Sequence, residues 1–235
     1  MQDDQFVKQL TAIFCDGLFS YTDEATATSI IEKSLQLCGG SRDTLSELAQ
    51  TKFFAKHSPF FLTIANRKAD GGLNPLISRK AVPPLLTELF EICGELKEET
   101  QEEIMQALYI DSESDLFEAL KTHLPLFHRQ SPHSFFDDDE GKPSLRAMTH
   151  GPDSFSISIS IPRFYDRMLI DKEVSFQFLA IGSLWSLLAL PVEEEGFQGD
   201  ILAWNFELRE TNSKHTYTGP PIQRSINVAI RPAYG

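Results

Sequence analysis

Apolar residues in the first half of the chain recur at helical spacing. Phe6, Leu10, Ile13, Phe14 and Leu18 fall on one side of a helix. A second helix is predicted from about Asp23 to Leu37, with Ile30, Ile31, Leu35 and Leu37 as its stripe. Cys38-Gly39-Gly40 ends it, because glycine takes the left-handed conformation that closes a helix. Thr44-Leu45-Ser46-Glu47 reads as a capping box, with Thr44 receiving the backbone N–H of Glu47 and the Glu47 carboxylate reaching back. Ser58-Pro59 opens a further helix, Ser as N-cap and Pro at the first helical position, where a missing N–H costs nothing. Phe60, Phe61, Ile64 and Ala65 then face inward. A helix from about Val82 to Cys93 carries Leu85, Leu86, Leu89 and Phe90. Thr100-Gln101-Glu102-Glu103 reads as a second capping box ahead of Ile104, Ala107 and Leu108. Asp111 or Ser112 is the expected cap of a last helix with Leu116, Phe117 and Leu120. Residues 68–79, with Gly71-Gly72 and Asn74-Pro75, read as a loop.

The period changes in the second half. Phe155, Ile157, Ile159 and Ile161 alternate with serines, and Pro162 stops the run, which predicts an amphipathic strand. Val174, Phe176, Phe178 and Ala180 alternate in the same way. Leu184 to Leu190 is apolar on both sides around Trp185, the pattern of a central strand covered on both faces. Leu202, Trp204, Phe206 and Leu208 line one face of another strand, and Ile222, Ile226, Val228 and Ile230 complete the set. Arg163 to Met168 is read as one helical turn between strands. Between the halves, Phe135-Phe136, the acidic run Asp137 to Glu140 and Gly141-Lys142-Pro143 read as a linker or long loop. The organisation expected is α+β: helical pairs over residues 1–128, a linker over 129–153, and an antiparallel β-sandwich-like module over 154–235.

Composition narrows the partners. The 235 residues carry a net charge of −13, and both halves have an acidic excess. Nucleic acid and anionic membranes require clustered Lys and Arg, which this chain lacks, so neither is an expected partner. Aliphatic runs are too short for a membrane span. Cys15, Cys38 and Cys93 are odd in number and sit in helical settings, which reads as buried thiols in a reducing compartment. The polar start Met1-Gln2-Asp3-Asp4-Gln5 does not read as a secretory signal. The expected location is cytoplasmic or nuclear.

Chemical motifs are few. A calcium loop begun at Asp137 would put Lys142 where glycine is needed and Met148 where glutamate is needed, so the acidic run reads as a solvated loop. His123, His128 and His133 are spaced by five, whereas ligands on one helix face need three or four. Gly182-Ser183-Leu184-Trp185-Ser186 lacks the second glycine of a nucleophile elbow. Glu193-Glu194-Glu195 reads as solvated carboxylates in a turn. No phosphate-binding glycine loop occurs, and no cofactor or metal is expected. Phe60, Phe61 and Trp185 are candidate anchors for a partner, since aromatic residues dominate interface hot spots. Their periodic positions favour core packing over that role.

Residues 30–67 resemble an ankyrin-type unit: Ile30, Ile31 and Leu35 lead into Gly39-Gly40, and His57-Ser58-Pro59-Phe60-Phe61 is similar to the Thr-Pro-Leu-His signature. Pro84 to Leu120 resembles a second, degenerate helix pair. With Ile161-Pro162-Arg163-Phe164, Phe176-x-Phe178-x-Ala180 and Gly182-x-x-Trp185, the chain resembles a group of uncharacterised fungal proteins that join an ankyrin-like stretch to a β-rich region. The resemblance implies a protein-binding adaptor or scaffold without catalytic activity. The alternatives are an enzyme with a dispersed site at the junction of the halves, and a β module binding a small ligand or peptide.

Overall fold

The computed structural model describes residues 4–18, 22–54, 56–67, 82–111, 113–127, 144–150, 154–164, 166, 170, 173–191 and 204–211. The predicted loop 68–79, the acidic run, His128, His133, Glu193 to Glu195 and the expected strand around Ile226 lie outside them. So do Tyr165, Arg167 and Met168 of the predicted turn after Pro162. The chain divides into two compact units, Met1–Arg129 and Gln130–Gly235.

The first unit is helical: α1 (Asp4–Leu18), α2 (Glu24–Leu37), α3 (Arg42–Ala49), α4 (Pro59–Ala65), α5 (Pro84–Cys93), α6 (Glu98–Asp111), α7 (Ser114–Leu120) and a 3-10 turn over Lys121–His123. Each helix buries the side that its sequence makes apolar. Leu10, Phe14 and Leu18 of α1 meet Ile30 and Ile31 of α2 in the interior, and α5 contributes Leu85, Leu86, Leu89 and Phe90. α2 and α3 both pack on α5, and α4 packs on α6. Gly17 permits the close approach of α1 and α2, because a Cβ there would stand 2.5 Å from Ile30 Cδ1. Phe14 meets Phe53 and Phe54 edge-on, with ring centroids 6.1 and 6.2 Å away.

The helix starts correct three expectations. Ser41, not Thr44, caps α3: its hydroxyl accepts the backbone N–H of Thr44, so the helix begins at Arg42. Thr100 lies inside α6, which begins at Glu98, so it caps nothing. The last helix starts after Glu113, which makes no side-chain cap, rather than at an Asp111 cap. Asp23 and Ser58 do cap α2 and α4, and Pro59 takes the first helical position as its sequence demands. At the end of α2, Gly39 and Gly40 have φ of 65° and 82°, and Gly40 N–H donates to Leu35 O.

The second unit holds two antiparallel sheets. β1 (Ser144–Thr149) pairs with β2 (Phe155–Ser160), and β3 (Val174–Ala180), β4 (Ser183–Pro191) and β5 (Trp204–Glu210) form the other sheet with β4 in the middle. β1 corrects the sequence reading, which placed 144–149 in the linker. Its register puts Leu145 opposite Ile159 and Ala147 opposite Ile157, so both strands turn their apolar residues to the same face. Register also aligns Phe178 with Trp185 and Phe176 with Leu187, and Leu187 with Leu208 on the far side of β4. Phe178, Ala180, Trp185 and Leu187 are buried, and Leu145, Phe155, Ile157, Ile159 and Phe176 pack against them. The two sheets therefore share an interior. On the opposite face of β4, Leu184 is buried but Ser186, Leu188 and Leu190 are half-buried, so the expected cover on both faces is only partial.

Candidate functional site

The candidate anchors Phe60, Phe61 and Trp185 are interior residues, with 0%, 9% and 4% of their surfaces exposed. Phe60 packs on Phe90 of α5, at a centroid distance of 5.4 Å. Phe61 stacks on the His57 ring at 3.9 Å. Trp185 donates its indole N–H to Ala180 O at 2.9 Å, which satisfies its one polar atom inside the sheet. None of the three presents its ring to a partner, and the packing alternative describes all of them. Phe60 and Phe61 belong to the helical unit and Trp185 to the β unit.

The structure instead gathers ionisable groups around Glu103, a residue the sequence reading assigned to a local cap. Glu103 is 3% exposed. One carboxylate oxygen accepts the Ser58 backbone N–H at 3.0 Å. The other lies 3.5 Å from Lys52 Nζ and 3.6 Å from His57 Nδ1. The His57 contact is too long for a hydrogen bond. These groups come together because residues 54–57 form a tight bridge: Phe54 N–H donates to His57 O and His57 N–H to Phe54 O. Lys56 takes a left-handed φ of 76° inside it. The bridge delivers Ser58 to the start of α4, where its hydroxyl caps Phe61 N–H while its own N–H is held by α6. A buried carboxylate with a cationic neighbour and a hydrogen bond is a stable arrangement, and here it pins the entry to one helix onto another. Sequence gives no local signal for it, since Glu103 and Ser58 are 45 positions apart.

Polar links of the same kind fix other helix ends. Asn66 donates to Leu18 O at the end of α1, and Arg42 to Glu91 O near the end of α5. Gln101 is buried and works in both directions, donating to Leu96 O and accepting Leu126 N–H.

The outward side of α6 is different in character. Glu98, Glu102, Gln106 and Ile110 follow one another at steps of four and are exposed, with Glu99 beside them. Ile110 is 64% exposed, far more than an isoleucine in a packed helix. Residues 88–118 hold eleven Asp and Glu against one Lys, and that Lys97 pairs with Glu47. Among the described residues, Glu98, Glu99 and Glu102 pair with no cation.

Comparison with protein-family models, with curated proteins and with solved structures finds no match to this chain. Among the described residues, no three His, Cys, Asp or Glu side chains converge as metal ligands, and no helix is long and apolar enough to cross a membrane. His123 stacks on Phe90 at 4.1 Å. Two open surface depressions lie elsewhere on the helical unit. One, of about 380 Å³, follows α3 along Thr44 and Leu48, and one of about 550 Å³ lies at Leu35 and Gly39. Cys15 is exposed, which corrects its reading as a buried thiol, while Cys93 is largely enclosed against Ser46 O.

Proposed function

We propose that the chain is a protein-interaction adaptor or scaffold that acts without catalysis, in the cytosol or nucleus, and that its helical unit presents the binding face. One observation carries this reading: the outer row of α6, which starts on two glutamates and ends on an isoleucine exposed to water. Covering the exposed part of that isoleucine would return about 1–2 kcal/mol. The unpaired glutamates at the other end of the row favour a partner that brings basic groups, through faster association and selectivity more than through raw affinity. The side-by-side packing of α2 and α3 on α5, and of α4 on α6, is the kind of contact that stacked helical repeats use to build such faces, and the ankyrin-like reading of the unit belongs to this proposal. The β unit is read as sandwich-like because its two sheets share one interior. Ligand binding by an aromatic sheet face is not favoured, since Phe178 and Trp185 point into that interior.

Affinity capture with the tagged full chain from its native extract tests the reading. Three proteins are compared: the natural chain, a variant with Glu98→Lys, Glu102→Lys and Ile110→Glu, and a control with Lys33→Glu on the exposed side of α2. Circular dichroism establishes that each is folded. A stoichiometric partner lost only with the α6 variant supports the proposal. A partner retained by that variant removes α6 as the face, and no partner with any folded protein overturns the adaptor reading.

A further inference from the structure

We draw no further inference here: the strongest candidate beyond the α6 face, the Glu103, Lys52 and His57 cluster beneath the Phe54–His57 bridge, is accounted for as the clamp that holds the start of α4, and nothing among the described residues shows a ligand reaching it.

Discussion

Glu103 on α6 receives the backbone N–H of Ser58 at the start of α4, at 3.0 Å and away from water. The contact supplies an acceptor to an amide that the local chain leaves unserved, and it fixes where α4 begins. Glu103→Leu strands that amide, with an expected loss of about 2–4 kcal/mol in urea denaturation followed by far-ultraviolet circular dichroism. Glu103→Gln keeps an oxygen at the site and should lose about 1 kcal/mol. Equal losses in the two variants would mean that the charge facing Lys52 and His57 matters, rather than the acceptor.

At Gly17, α1 lies tight against Ile30 of α2. Gly17→Ala improves helix propensity by about 1 kcal/mol, yet its methyl group would collide with Ile30 Cδ1 and crowd Leu85 Cδ2, at 3.0 Å. Ile30 is itself buried and has little room to move. A net destabilisation of about 1–2 kcal/mol is expected. The double variant Gly17→Ala with Ile30→Val removes the colliding atom and should recover part of the loss. A double-mutant cycle with purely additive energies would show that the contact is not the cause.

Lys56 carries a left-handed backbone in the bridge before α4 and an exposed side chain. Asparagine tolerates that conformation better than lysine does. Lys56→Asn should stabilise the protein by about 0.5–1 kcal/mol, read as a higher urea midpoint with an unchanged slope.

Burial pushes the Cys93 thiol up to about 11 from an ordinary 9.0, and the Tyr109 hydroxyl up to about 12 from 10.0. Both groups hold their protons more tightly folded than unfolded, so stability is full below pH 9 and falls as pH rises through 9 to 11 for Cys93 and 10 to 12 for Tyr109. The Cys93 share amounts to about 3 kcal/mol at most. Cys93→Ala should lessen the loss of stability between pH 9 and 11, leaving the part due to the Cys38 thiol, which burial also raises, whatever it does to stability at neutral pH. At pH 8 an alkylating reagent should modify exposed Cys15 well before Cys93. Equal rates would contradict the enclosure of Cys93.

Local chemistry was legible where one residue type had one use. Ser58-Pro59 could only open a helix, and the serine alternation of β2 could only be one face of a strand. Capping was misread wherever several hydroxyls competed. Ser41 stands three residues before Thr44 and takes the helix start first, because the chain leaves the Gly39-Gly40 turn directly into it. At α6, Lys97 N–H donates to Gln50 Oε1, a bond to a distant residue that settles the entry before Thr100 is reached. β1 was hidden for another reason: Leu145 and Ala147 make a weak apolar face, and only pairing with Ile157 and Ile159 gives it value. The Glu103 cluster had no sequence signal, since its members come from separate elements.

The indole of Trp185, enclosed and hydrogen-bonded to Ala180, has a practical corollary. The chain's two tryptophans, Trp185 and Trp204, both lie beyond Gln130, where the second unit begins. Emission excited at the red edge of indole absorbance therefore reports on the strands alone, while helical ellipticity reports on the other unit. The protein thus carries two separate optical channels, and denaturation curves recorded in both will superimpose only if the two units melt as one.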